Sequence, residues 1–234
     1  MSEKTYGKLV QKAYSNPIVA KKYYDDFFRN DIFLCDRQNY VGEFISELPS
    51  TGLILDLGCG NGQHSIYISK IKSNCDVIGV DFSSTMLEYA EQEKEKANLC
   101  NLKFICDDII SFCKTTNYNP VGILAVFSFT CLTRTEIKEV LNSLYKILLP
   151  NGRIFIAVHE DLQTTSSSMG RYEIVPEIYD KSETQFYKYF KENEMIKYLE
   201  DAKFNNVVVK RLHTNRNTEI NNEKICFIGQ KLNV

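Results

Sequence analysis

The chain has 234 residues, a formal net charge of -2 and 44% hydrophobic residues, a length that supports one α/β domain with a small cap and is short for two full domains. The totals lack the basic excess with which nucleic-acid binders neutralise phosphates, so no nucleic-acid partner is expected. No apolar run approaches the length of a membrane span and the opening Met1–Tyr6 is polar, so no membrane partner and no export are expected, and the reading is cytoplasmic.

The first thirty residues carry helical spacing. Asn16 followed by Pro17 marks a helix start, with Ile18, Tyr23, Tyr24, Phe27 and Phe28 recurring along one side. Residues 36–48 form a second amphipathic segment, ended by Pro49-Ser50-Thr51-Gly52. From there strands and helices alternate. A strand over Leu53–Leu57 leads through a glycine turn to a helix over Gln63–Ile71. A strand over Asp76–Val80 leads to a helix from Ser83 to Ala97. A third strand, Leu102–Cys106, ends at Asp107-Asp108. The continuous apolar run Val121–Phe127 predicts a strand buried on both faces. A helix over Thr135–Leu148 stops at Pro150-Asn151-Gly152, and a fifth strand, Arg153–Val158, follows.

This alternation predicts parallel βαβ units in an open twisted sheet. The polar stretch Gln163–Gly170 reads as an exposed loop. Beyond it come a strand-like Gln185–Phe190, a helix over Glu192–Ala202, and two strands, 206–212 and 224–231, that pair as an antiparallel hairpin. The eight cysteines form no C-x-x-C pair and several sit in apolar runs, so they read as reduced, buried thiols, and no metal centre is expected.

Chemistry concentrates in Asp56-Leu57-Gly58-Cys59-Gly60-Asn61-Gly62, between the first strand and its helix. Glycines there let a ligand approach the backbone, and the helix start offers free N–H groups and a positive dipole end to an anion. Asp81 ends the second strand about twenty residues on, where a carboxylate accepts hydrogen bonds from ribose hydroxyls. Taken alone, this pair fits a nicotinamide-dinucleotide enzyme as well, and the loop by itself also fits a tight turn without ligand.

The wider text resembles the class I S-adenosylmethionine-dependent methyltransferases. The resemblance is carried in order by Ile54–Gly62, by Val77–Ser83 with Met86 and Ala90, by Phe104–Ile109, and by Leu149–Ile154. It implies a Rossmann-like three-layer sandwich: a mostly parallel seven-stranded sheet with a C-terminal antiparallel hairpin and an N-terminal helical cap. The division would be a cap over 1–48, a cofactor-binding core over 49–160, and a substrate lid with hairpin over 161–234. S-adenosylmethionine would be the cofactor. Asp56 would orient the loop and the cofactor's amino group, while Gly58, Cys59 and Gly60 would pack against its methionine part. Asp81 would bind the ribose, with Phe82 and Met86 flanking the adenine. Asp108, next to Asp107, would bond the adenine amino group beside Ile109, and Phe127 would lie near the transferable methyl.

The tail resembles the subset of that family acting on small molecules. Tyr14 and Tyr23 from the N-terminal helices, with Arg171, Tyr172 and Tyr189, are candidate substrate contacts. His159, at the carboxyl end of the fifth strand, is the candidate general base; His64 and His213 fit that role less well. The family's common histidine or asparagine after the fourth strand is replaced by Thr130-Cys131-Leu132-Thr133-Arg134, and no nucleic-acid N-methyltransferase signature is present. The expected reaction is methyl transfer to an oxygen or nitrogen of a small metabolite by a monomer or homodimer. A protein or RNA methyltransferase, or a cofactor-binding member without catalysis, are the rival readings.

Overall fold

The computed structural model describes residues 3–25, 34–162, 172–176, 184–212 and 224–233. Five parallel strands form its centre: β1 (Gly52–Leu57), β2 (Cys75–Asp81), β3 (Leu102–Cys106), β4 (Gly122–Val126) and β5 (Arg153–Glu160), in the order β3-β2-β1-β4-β5. Chain order reverses between β1 and β4, and the carboxyl ends on either side of such a switch point leave a crevice.

Beyond β5 the sheet divides. β9 (Lys224–Gln230) runs antiparallel along β5 from Arg153 to His159, and β8 (Asn205–Leu212) pairs outside it. At the carboxyl end of β5, His159 and Glu160 instead pair in parallel with Tyr189 and Phe190 of β7 (Thr184–Phe190), which forms a hairpin with β6 (Tyr172–Pro176). The three-layer α/β class and the C-terminal hairpin are as expected, and among the described residues the sheet has nine strands because the β6–β7 hairpin joins it. The polar stretch 163–170 lies outside the described residues.

Alternation along the strands makes the layers. Leu55, Leu57, Ile123, Ala125, Ile154, Ile156 and Val158 point to the face covered by α6 (Ile109–Thr115), α7 (Arg134–Ile147) and α8 (Glu192–Asp201). Ile54, Val77, Leu124, Phe155 and Ala157 point to the face covered by α3 (Leu34–Ser46), α4 (Gln63–Ile71) and α5 (Ser84–Lys96). Helix α6 has no apolar periodicity long enough to announce it; Asp108 makes it, accepting from Ile110 N and Ser111 N as its N-cap. Helix α7 opens with a Thr133–Glu136 capping box, and Asn151, at φ 64°, turns the chain towards β5. Among the described residues no helix is long and apolar enough to cross a membrane.

At the N-terminus, α1 (Glu3–Tyr14) is followed by α2 (Pro17–Tyr24), whose N-cap Asn16 accepts from Ile18 N as the Asn-Pro pair foretold. Helix α1 lies on the turn after β4, where a Cβ added to Gly7 would stand 2.3 Å from Cys131 O. Helix α2 lies on α5: Tyr24 stacks on Tyr89 with centroids 4.6 Å apart and donates to Glu93. Ser83 Oγ donates to Tyr14 O at 3.0 Å and joins the two contacts.

Candidate functional site

The loop from β1 to α4 is laced to the end of β2, with Gly58 N and Cys59 N both donating to Val80 O, at 2.7 and 3.0 Å. Two of its glycines do different work. Gly58 (φ 70°) faces inwards, and a Cβ there would meet Ser128 Cβ at 2.3 Å, so its bareness lets the turn after β4 close against the loop across the switch point. Gly60 (φ 54°) faces outwards, and among the described residues a Cβ there would meet nothing within 4 Å. The loop therefore presents bare backbone to an open volume at the start of α4.

Two carboxylates sit beneath it. Asp56 is 2% exposed, and its Oδ2 accepts from Ser65 Oγ at 2.6 Å. Burial, reinforced by the charge of Asp81 and offset by the Ser65 hydrogen bond, pushes its carboxyl up to about 6. Asp81 accepts from Gly60 N at 2.8 Å and from Ser83 N at 2.9 Å, and burial raises its carboxyl too. Both acids are thus dry and held by neutral donors, an arrangement that gains from a cation or from further hydroxyl donors. Cys59 beside them is pushed well above its ordinary thiol range by burial, so it is a packing residue rather than a nucleophile.

On the β3 side, Asp107 Oδ1 accepts from Asp108 N at 2.8 Å, while Asp108 Oδ1 is spent on the α6 cap. Phe82 is half-buried, whereas Met86 and Ile109 are buried, Ile109 in the core beneath α6. On the β4–β5 side, Phe127 takes the left-handed conformation (φ 57°) and lies against the His159 imidazole, with centroids 4.8 Å apart and planes 28° apart. Tyr189 is buried beside His159, at 5.9 Å between ring centroids, rather than at an open surface. Lys224 Nζ lies 5.6 Å from the Phe127 ring. Cys131 ends the 3-10 turn Ser128–Cys131, and burial pushes its thiol to about 12, which removes it as a nucleophile.

Of the expected substrate residues, Tyr14 and Tyr23 meet edge to face at 5.9 Å. Tyr172 begins β6, and Arg171 and His213 lie outside the described residues. His64 is half-buried in the first turn of α4. Ser128, Gly7 and Lys224 carry no motif in the sequence; only the close approaches at the sheet's carboxyl end bring them forward.

Residues 50–215 match the family model described as a methyltransferase domain. The chain belongs to that family. S-adenosylmethionine is the cofactor of this methyltransferase domain, and its residues fit the group: bare backbone over Gly60 leaves room for it, and the two buried carboxylates suit its amino group and ribose.

Among curated relatives the domain is 27% identical over 119 residues to YqeM of Bacillus subtilis (strain 168), covering 50% of this chain and 47% of that protein. It is 35% identical over 71 residues to the (S)-tetrahydroprotoberberine N-methyltransferase of Eschscholzia californica, covering 30% of this chain and 20% of that one. The chain thus spans half or less of the length of these two relatives. A longer match, 25% identical over 195 residues, is to the carboxy-S-adenosyl-L-methionine synthase of Campylobacter jejuni subsp. doylei (strain ATCC BAA-1458 / RM4099 / 269.97), covering 76% of this chain and 74% of that one.

Solved structures share the fold. The magnesium protoporphyrin IX methyltransferase of Synechocystis PCC 6803 with bound S-adenosylmethionine has a TM-score of 0.67 at 16% identity, covering 99% of this chain and 98% of that one. The N-methyltransferase NodS of Bradyrhizobium japonicum WM9 with S-adenosylhomocysteine has a TM-score of 0.67 at 13% identity, covering 97% and 98%.

The space over Gly60 yields a test. Gly60→Ala is expected to cost only about 1 kcal/mol of stability, the strain of a left-handed alanine, because its methyl meets no atom of the described residues. Its methyl would fill cofactor space, so affinity for S-adenosylhomocysteine should fall at least about tenfold, or 1.4 kcal/mol. Calorimetric titration beside a melting curve checks both; undiminished affinity would remove Gly60 from the cradle.

Proposed function

We propose that this domain transfers a methyl group from S-adenosylmethionine to an oxygen or nitrogen of a small metabolite. The observation that carries the reading is the half-exposed Phe127–His159 stack, which adjoins the Gly58–Ser128 junction of the cofactor cradle. The cofactor supplies a methyl carbon on a positively charged sulfur, so most of the chain's work is alignment and exclusion of water. Helices α1 and α2 serve that end as a cap, with Tyr14 and Tyr23 on the acceptor side. Phe127 forms the wall beside the methyl, and His159 takes the acceptor's proton where the nucleophile is a hydroxyl. Asp56 and the Gly58–Gly60 backbone hold the methionine end, Asp81 the ribose, and the Asp107–Asp108 pair the adenine edge, with Phe82 along its face. The slightly acidic total charge and the cap favour a metabolite over a nucleic acid.

A second reading is favoured by the relatives that align over three quarters of the chain, which are carboxy-S-adenosyl-L-methionine synthases. In that case the cofactor itself would be modified. Mass spectrometry of the reaction mixture separates the two: a methylated acceptor with S-adenosylhomocysteine supports methyl transfer, and a carboxylated cofactor without methylated acceptor supports the alternative.

Cofactor binding underlies both. Asp81→Ala is expected to weaken S-adenosylhomocysteine binding by about 1–3 kcal/mol, the range for losing hydrogen bonds to a charged group. Unchanged affinity would take Asp81 out of the site, and a wild-type protein that binds neither S-adenosylmethionine nor its product would sink the proposal.

A further inference from the structure

We infer that Asn61 and Ser128 read the carboxylate of the cofactor's methionine end, so that the domain selects a cofactor with its amino-acid end intact. The inference rests on the placement of that end proposed above and deepens it.

The two side chains belong to the glycine loop and to the turn that closes against it. Asn61 is 2% exposed and Ser128 9% exposed. Among the described residues, neither Asn61 Nδ2 nor Ser128 Oγ has a hydrogen-bond partner. Buried amides and hydroxyls are ordinarily paired, and leaving one dry and unpaired costs a chain stability. Two such groups at one junction point to a ligand that pairs them.

Their setting is tight. Gly60 and Asn61 are the central residues of a turn closed by Gly62 N, which donates to Cys59 O at 2.9 Å. Gly62 then serves as the N-cap of α4, left-handed at φ 77° and without a side chain to accept from the first N–H groups of the helix. Ser128 opens the 3-10 turn after β4, and its Oγ stands 3.3 Å from the place a Cβ on Gly58 would take. Both groups thus adjoin the bare backbone that faces the open volume over Gly60. Both side chains are short and turn towards an entering anion by rotation about χ1.

The chemistry of the methionine end selects the partner. Its ammonium donates and needs an acceptor, which Asp56 supplies, and Asp81 answers the ribose hydroxyls. A positively charged sulfur accepts nothing from an N–H. The carboxylate alone accepts several hydrogen bonds at once. An amide nitrogen and a serine hydroxyl both donate, and the α4 N-terminus adds a positive dipole end. Neutral donors also bind the anion without setting a full cation against the sulfonium charge.

The test titrates the full chain calorimetrically with S-adenosylhomocysteine, with its analogue lacking the carboxylate, and with its analogue lacking the amino group. The wild type is expected to bind S-adenosylhomocysteine about 10- to 100-fold more tightly than the decarboxylated analogue. Ser128→Ala and Asn61→Ala should each shrink that ratio, and the double variant should nearly erase it, with affinity for the decarboxylated analogue unchanged. Unliganded Ser128→Ala should melt no lower than the wild type, because the Cβ that packs on Gly58 stays and the unpaired hydroxyl goes. A packing role would instead lower the melting temperature and weaken all three ligands alike. Three results would overturn the inference: a decarboxylated analogue that binds the wild type as tightly as S-adenosylhomocysteine does, a ratio that survives in both single variants, or variants whose loss falls on the amino group instead. Should Asn61→Ala fail to fold, the wild-type ratio and Ser128→Ala decide. Failure of S-adenosylhomocysteine to bind the wild type would count against the proposed function itself.

Discussion

Asp56→Asn is expected to give a protein that is more stable without cofactor and binds the cofactor less well. The Asp56 carboxyl is pushed up to about 6 in the folded chain from an ordinary 3.8, chiefly by burial. Below the ordinary value it is protonated whether the chain is folded or not, and folding carries no penalty. As pH rises through about 6 the folded chain must ionise a buried acid, and the stability present at low pH is lost. At neutral pH that loss amounts to about 3 kcal/mol. Asparagine removes the charge while its carbonyl oxygen can still accept from Ser65 Oγ, so the variant should recover most of it. Asp81, also raised, keeps its own share of the slope in both proteins. Cofactor affinity should move the other way, falling about 10- to 100-fold because a charge-assisted hydrogen bond to the amino group is lost. In the wild type, affinity for S-adenosylmethionine should strengthen as pH rises through about 6, and Asp56→Asn should flatten that rise. Denaturant melts from below pH 3.8 to above about 6 measure the stability arm, and titrations on either side of about 6 measure the binding arm. A variant that is less stable and binds equally well would show that Asp56 is structural only.

Gly58→Ala should damage fold and binding together. Its Cβ would stand 2.3 Å from Ser128 Cβ, and the backbone there has φ 70°. Left-handed strain costs about 1–2 kcal/mol and forced overlap in a packed junction about 1–3 kcal/mol. The combined loss of roughly 2–5 kcal/mol is a large part of the 5–15 kcal/mol that holds a domain together. It should be accompanied by loss of cofactor binding, because the loop and the turn after β4 can no longer close. Adding Ser128→Gly removes the atom that Cβ meets. The double variant should therefore recover the overlap component and retain only the strain, a non-additivity that denaturation of the four proteins measures directly. Additive losses would mean that the two residues do not share a junction. The contrast with Gly60→Ala, which should fold and bind less tightly, separates what the glycine loop does for the chain from what it does for the ligand.

The elements of the cofactor half were legible because each is set by neighbours in sequence. Helix α4 spans Gln63–Ile71 and β3 spans Leu102–Cys106 as read from the pattern alone, and the Asn16-Pro17 start is a local hydrogen bond plus a fixed backbone angle. Helix α6 was not legible, because seven residues give no usable period and its start depends on which of two adjacent aspartates turns back as the cap. The β6–β7 hairpin was half legible: Gln185–Phe190 has strand character, but its partner Tyr172–Pro176 carries no alternation, and its place beside His159 is a long-range pairing.

The sequence by itself determined the order of the five central strands and most of their helices, the glycine loop, the two acids in β1 and β2, and hence the family and its cofactor. Those features act within a turn or a strand, through backbone angles, caps and alternation. Only the tertiary structure decided what surrounds them. It set Ser128 against Gly58, α1 against Cys131, and Phe127, His159 and Lys224 around one corner, from strands 32 and 65 positions apart along the chain. Side chains that distant have no local signal, because what brings them together is sheet register and the burial of two apolar faces.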